Sequence, residues 1–140
     1  MKKLNLSLAF ACLAIYMGQA LGQQNSPDAV AEAAGAYLGA VYSLQAVKKT
    51  KCGYALLLDI GDFSQKAERD VRSNIPNAYK NELTNFIESV KHESQKIVAN
   101  NIKNLEGKID PRTQCGLVVG GLLGNLTQHW TEWERVKNRR

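Results

Sequence analysis

The stretch PNAYKNELTNFIESVKHESQKIVANNIKNLE, residues 76–106, carries the clearest periodic pattern in the chain. Its apolar residues recur at spacings of three and four, with charged and amide residues between them, which is typical of an amphipathic helix with one face in a core. Pro76 at its start and Gly107 after its end favour a first helical turn and a C-terminal cap. We therefore predict a helix over about 76–106. Its inner face comprises Tyr79, Leu83, Phe86, Ile87, Val90, Ile97, Val98, Ile102 and Leu105.

Three further helices are predicted on either side of this one. Ser26-Pro27-Asp28 and Asp110-Pro111 each combine a capping side chain with a proline at the first helical position, and they start helices over about 27–48 and 111–137. The dense apolar run after Cys52-Gly53 predicts another helix, ending near Ser73 before Pro76. No alternating strand pattern is evident in the sequence. We therefore predict an all-α four-helix bundle with short connections.

The N-terminal residues 1–22 have the pattern of a cleaved signal peptide. Lys2 and Lys3 precede an apolar segment over 4–17, and Ala20-Leu21-Gly22 places small residues before a cut at Gln23. We predict a single domain over 23–140 that is periplasmic or secreted, with no stable membrane insertion after cleavage. In the alternative interpretation, Cys12 is a lipid attachment site.

Removal of Cys12 with the leader leaves one pair of cysteines, Cys52 and Cys115, in an oxidising compartment, so we predict a disulfide between them. A disulfide needs Cα atoms roughly 5.5–6 Å apart, closer than adjacent helix axes at about 8–10 Å. We therefore expect the second and fourth helices to be neighbours that converge at this end. With the third helix they would form a three-helix core, onto which the small-residue face of the first helix docks.

The charge of the chain is mildly basic. Its 18 basic and 13 acidic residues give a net charge of +5, and loss of Lys2 and Lys3 lowers this to about +3, which is too mild to indicate a nucleic-acid partner. Lys48-Lys49-Lys51 and residues 137–140 lie at predicted helix ends, where cations complement the helix dipole. This interpretation is favoured over the alternative, a patch that binds phosphate or a membrane surface.

Two acidic residues stand out within the apolar run that follows Cys52. Asp59 and Asp62 would lie on one helical face, where a raised carboxyl pKa or a cation site is conceivable. The favoured interpretation is that both point outward or pair with Lys66 and Arg69, since acids are seldom buried without partners. A hydrolase that uses Asp59 and Asp62 is therefore the least favoured functional hypothesis.

Other catalytic or metal-binding patterns are weak. His129 with Glu132 and Glu88 with His92 have spacings compatible with metal ligation, but two residues do not make a metal site. Neither a Ser/His/Asp nor a Cys/His arrangement can be assembled convincingly from two histidines. We predict that the protein is not an enzyme and that it has no metal and no cofactor.

The two tryptophans are the remaining candidates for a functional role. Trp130 continues the apolar stripe of Leu122 and Leu126, which predicts a core position, whereas the exposure of Trp133 is left open. Tryptophan both fills cores and forms binding hot spots. Our candidate partner-binding residues are Trp133, His129, Asp59 and Asp62.

These features favour a protein that acts by binding another protein. In outline the chain is similar to the periplasmic immunity proteins that neutralise peptidoglycan-amidase toxins, which are also small, exported, helical and disulfide-bonded. In the same outline it resembles the small acid-stress chaperones of the bacterial periplasm. The first resemblance implies an inhibitor or immunity-type protein-binding module, and the second implies a stress chaperone. Neither resemblance transfers a functional residue to this sequence.

Overall fold

The computed structural model describes residues 26–139, which form an all-α bundle without strands in that range. The four helices are α1 (Pro27–Lys48), α2 (Ile60–Asn74), α3 (Leu83–Leu105) and α4 (Pro111–Lys137). Single 3₁₀ turns, Gly53–Ala55 and Asn77–Tyr79, lie in the connections before α2 and α3. The prediction of an all-α four-helix bundle is confirmed. The predicted leader and Cys12 lie outside the described residues.

Both predicted capping signals start a helix. The Ser26 hydroxyl accepts a hydrogen bond from the Ala29 amide at 3.2 Å, and the Asp110 carboxylate accepts one from the Thr113 amide at 3.0 Å. A proline follows each cap at the first helical position. The predicted bounds of the first and last helices are therefore confirmed.

α2 and α3 begin later than the sequence predicts. α2 begins at Ile60 rather than near Cys52, because the chain first makes a 3₁₀ turn and then extends at Leu56, whose side chain is buried. An added Cβ on Gly53 would overlap the carbonyl oxygen of Lys48, so this turn packs tightly against the end of α1. α3 begins at Leu83, since the residues after Pro76 form only a single 3₁₀ turn.

The helices run alternately up and down. Hydrogen bonds from Tyr42 to Glu68 and from Gln45 to Ser64 pair α1 with α2 in the antiparallel sense. α3 runs parallel to α1, as Gly35 faces the Phe86 ring and Gly39 faces Val90.

α4 runs antiparallel to α1. Tyr37 stacks on Trp133, with ring centroids 6.4 Å apart, while the loop after α1 is bonded to Cys115 near the start of α4. α2 and α4 therefore begin at the end of the bundle where α1 and α3 finish.

α1 is the central helix of the bundle. It packs against each of the other three helices more extensively than any of those three pack against one another. The prediction of a three-helix core of the second, third and fourth helices, with the first docked outside, is therefore wrong. The physical reason is that α1 has no charged residue between Glu32 and Lys48, and its alanines and glycines allow close neighbours on several sides.

The disulfide between Cys52 and Cys115 is confirmed, with Cα atoms 4.9 Å apart. The expected geometry around it is corrected, because Cys52 lies in the connection between α1 and α2 and not on α2. The connection brings Cys52 to α4, so the bridge does not require α2 and α4 to converge.

Across residues 26–139, the structure contains no helix that is both long and apolar enough to cross a membrane.

Candidate functional site

The connection from α1 to α2, residues 49–59, is held firmly against the bundle and is called the pinned loop below. Cys52 and Leu56 are buried in it, and the disulfide joins it to α4. The Thr50 hydroxyl accepts a hydrogen bond from the Cys52 amide at 3.2 Å, and the Lys48 ammonium donates to the Leu56 carbonyl at 2.8 Å. These contacts fix the backbone on both sides of the 3₁₀ turn.

Three large apolar side chains of the pinned loop face solvent. Leu57 is 94% exposed, Tyr54 is 62% exposed and Leu58 is 50% exposed. All three belong to the dense apolar run after Cys52-Gly53, which the sequence predicts to be the early turns of a helix. Periodicity cannot distinguish a short buried helix from an apolar loop, so the sequence does not predict that these three side chains are exposed.

A second exposed apolar feature is an aromatic pair between α2 and α4, called the aromatic face below. Trp130 is 46% exposed, and its ring meets the half-buried Phe63 ring edge-on, with centroids 6.3 Å apart. The indole N–H of Trp130 donates to the Glu134 carboxylate at 3.2 Å. The prediction that Trp130 is a core residue is therefore wrong, and Trp130 is instead a surface residue held by two neighbours.

Trp133, whose exposure the sequence leaves open, is fully buried. Its indole N–H donates to the Asp70 carboxylate at 2.6 Å, and the Lys137 ammonium binds the same carboxylate at 2.9 Å. Burial and the charge of Asp70 raise the pKa of the stacked Tyr37 to about 12. Trp133 as placed presents no surface to a partner, and its role is to join α1, α2 and α4.

The remaining candidate residues cluster near the aromatic face. Asp59 and Asp62 are both exposed at the start of α2, next to Phe63, and Asp62 forms an ion pair with Lys66 at 2.6 Å. His129 precedes Trp130 on α4 and is half-buried, which lowers its pKa below the ordinary value of 6.5. Asp59 and Asp62 therefore lie close in the chain to Phe63, and His129 lies next to Trp130, whereas Trp133 is in the core.

The residue pairs with metal-compatible spacing, His129 with Glu132 and Glu88 with His92, are not part of a metal site among residues 26–139. No group of three histidine, cysteine or acidic side chains in that range could hold an ion. Glu132 is paired with Arg135, and Glu88 is paired with Lys91 at 2.9 Å.

A polar cavity of about 250 Å³ lies between α1 and α3, lined by Tyr42, Gln45, Ala46, Lys49, Lys91 and Gln95. The Tyr42 hydroxyl donates to Glu68 at 2.6 Å, and Arg72 binds the same carboxylate at 2.8 Å. Burial by itself would raise the pKa of Glu68, but these hydrogen bonds and the nearby Lys91 charge outweigh it and lower that pKa. Lys91, which lines the cavity, is paired with Glu88 at 2.9 Å and lies 3.8 Å from Glu68.

Comparisons of the chain with known protein families, with curated proteins and with solved structures find no match.

Proposed function

We propose that the protein is an exported protein-binding module of the inhibitor or immunity type, which neutralises a partner protein by contact. The observation that supports this proposal is the aromatic face. Trp130 combines a large exposed apolar area with a fixed orientation, because Phe63 and Glu134 hold its ring from two sides. Tryptophans of this kind form a large share of the hot spots in protein interfaces, since little side-chain entropy is lost when they bind.

The surroundings of Trp130 suit a polar rim. Asp59 and Asp62 are exposed and lie within four residues of Phe63, and the half-buried His129 adjoins Trp130 in the chain, so polar residues lie close in sequence to the central apolar contact. The Asp59 and Asp62 carboxylates would favour a partner with basic groups at the edge of its pocket. Export is part of the proposal because residues 1–22 have the signal-peptide pattern, and a disulfide is typical of an oxidising compartment.

Photo-crosslinking in the organism that encodes the chain tests the proposal. A photoreactive phenylalanine analogue replaces Trp130 in one strain, and Ile97, an exposed apolar residue of α3, in a matched control strain. We expect one protein to be captured from position 130 and not from position 97. Intact-mass analysis of the exported chain should also show loss of residues 1–22.

The captured protein is then purified and titrated with the wild type by calorimetry. Trp130→Ala should weaken binding by about thirtyfold, the effect of losing a hot spot worth roughly 2 kcal/mol, whereas Ile97→Ala should not. Equal capture from both positions, or a dissociation constant that Trp130→Ala leaves unchanged, would contradict the proposal.

A further inference from the structure

The pinned loop presents apolar side chains that its own bundle does not cover. Tyr54, Leu57 and Leu58 are at least half exposed, while Leu56 between them is buried and anchors the backbone. The disulfide and the hydrogen bond from Lys48 to the Leu56 carbonyl prevent the loop from folding these side chains inward. The loop is therefore a rigid apolar projection.

Basic residues surround this projection. Lys48, Lys49 and Lys51 precede it and are all exposed. An ion pair of 2.6 Å between Lys51 and Glu106 brings the connection from α3 to α4 alongside the loop.

That neighbouring connection adds three more exposed cations. They are Lys103, Lys108 and Arg112. The acids at this end of the bundle are Asp59, Asp62, Glu106 and Asp110, so the six cations outnumber them. The other end of the bundle, where α1 starts and α4 finishes, carries acids and bases in mixture. We call the loop and its six surrounding cations the basic end.

We propose that the basic end docks reversibly on the surface of an anionic phospholipid bilayer. Tyr54, Leu57 and Leu58 enter the interface, and the ammonium and guanidinium groups around them lie among the phosphate headgroups. Exposed apolar side chains ringed by lysines favour this location, because the side chains gain apolar surroundings and the cations gain anionic neighbours. A projecting tip suits a bilayer surface, which offers no preformed pocket.

The charge of the basic end determines which lipids it binds. The small number of apolar side chains limits how tightly it binds them. Each basic side chain near an anionic surface contributes about 1 kcal/mol, whereas a neutral bilayer provides only the apolar contribution. Three apolar side chains are too few for permanent anchoring, so binding should be reversible and should weaken with added salt.

Vesicle flotation with purified chain tests this proposal. The chain used is residues 23–140, which contains the whole bundle and lacks the apolar segment 4–17. We expect it to bind vesicles of phosphatidylcholine with a quarter phosphatidylglycerol, and to bind vesicles of pure phosphatidylcholine at least about tenfold less. Inorganic phosphate at matched ionic strength should not displace it, which separates a lipid surface from a site for a free anion.

Matched variants assign the binding to the basic end. Leu57→Asp should weaken binding to the anionic vesicles by at least about tenfold, and Ile97→Asp, the same change on an exposed residue of α3, should not. The triple change Lys49→Gln, Lys51→Gln and Lys108→Gln should weaken it by about fivefold for each lysine. The control with equal loss of charge, Lys66→Gln, Lys80→Gln and Lys96→Gln, should bind nearly as the wild type does.

A fluorescence reading locates the loop directly. Leu57→Trp adds a third tryptophan to Trp130 and Trp133, so its signal is the difference from the wild type. That difference should shift to shorter wavelength on the anionic vesicles and be quenched by brominated acyl chains. Absence of binding to anionic vesicles, equal binding to neutral ones, displacement by phosphate, or equal loss in the two triple variants would overturn the proposal. If the chain does not bind vesicles but the loop binds an acidic protein, the proposal of a lipid surface is wrong and the partner is a protein. Trp130→Ala should bind vesicles normally, so the proposed function and this proposal can fail separately.

Discussion

Trp133 joins three helices through one side chain. Its ring is fully buried and stacks on Tyr37 of α1, its indole N–H donates to Asp70 of α2, and its backbone belongs to α4. Asp70 is held in turn by Lys137 at 2.9 Å. A buried indole N–H without an acceptor would cost free energy, so the carboxylate of Asp70 is part of the tryptophan's site.

Replacing the two tryptophans in turn should separate their roles. Trp133→Ala should lower the free energy of unfolding by about 3–5 kcal/mol, because it removes a large buried side chain and takes the indole donor away from Asp70. Trp130→Ala, on the surface, should cost about 1 kcal/mol or less. Urea denaturation of both variants and the wild type measures the difference. Equal losses would contradict the assignment of Trp133 to the core.

Trp130, predicted in the core, is exposed, and Trp133, left open by the sequence, is buried, which shows the limit of a pattern built from steps of four residues. Steps of four along a helix drift by about 40° per step, so Trp130 has rotated away from the face that Leu122 defines. Trp133 lies eleven residues after Leu122, close to three full turns, and returns to the buried face. Counting turns could have found the buried tryptophan. Nothing in the sequence could have shown that Phe63 would meet Trp130.

Glu68 should make the stability of the bundle sensitive to acid. The hydrogen bonds from Tyr42 and Arg72 lower its pKa in the folded state below the ordinary value of 4.5, in spite of burial. A carboxylate whose pKa is lowered by folding contributes stability above its unfolded pKa, and that contribution disappears as the pH falls through the folded pKa. Denaturation between pH 7 and pH 2 should show a smaller acid-induced loss for Glu68→Gln than for the wild type. An unchanged slope below pH 4.5 would contradict this.

At the scale of elements, the glycines of α1 and α4 differ in how closely other side chains approach them. Gly35 on α1 has no room for a side chain, since an added Cβ would lie 2.9 Å from the Phe86 ring. Gly120 and Gly124 on α4 face open space, as do Gly116 and Gly121. Gly35 therefore allows α1 to pack closely on Phe86, whereas the glycines of α4 reduce the intrinsic stability of the helix without any packing gain within the bundle.

Substitution of glycine by alanine should change the free energy of unfolding in opposite directions on α1 and on α4. Gly120→Ala and Gly124→Ala should each raise the free energy of unfolding by up to about 1 kcal/mol, because alanine is the better helix former. Gly35→Ala should lower it, since Phe86 must move. Thermal or urea denaturation compares the three variants. A loss of stability in both α4 variants would show that this face packs on something in solution.

The order and number of helices follow from caps and periodicity, which are local, and the sequence predicts them correctly. The pinned loop is different, because its course depends on the buried Cys52 and Leu56 and on the bond to Cys115, far along the chain. The same holds for the central position of α1. A run such as Ala-Gly-Ala-Tyr-Leu-Gly-Ala is compatible with an outer or an inner helix, and the neighbours decide.

For the whole molecule, the disulfide closes a long section of chain, as Cys52 and Cys115 are 63 residues apart. A crosslink over such a length restricts the unfolded chain by about 4 kcal/mol in the loop-entropy description. Cys52→Ser should lower the free energy of unfolding by about 2–5 kcal/mol, measured by urea denaturation against the oxidised wild type. Reduced wild type serves as the control and should lose a similar amount. Free thiols on both cysteines in exported protein would contradict the pairing.

The central position of α1 also determines when the protein can fold during its own synthesis. α1 is made first, yet every helix that covers it lies later in the chain, and α4, its most extensive neighbour, is made last. A ribosome that has completed only the first three helices holds a chain whose most apolar helix is still partly bare. The packing that covers α1 is complete only once residue 137 has left the ribosome, and until then the nascent chain exposes apolar surface to which chaperones bind.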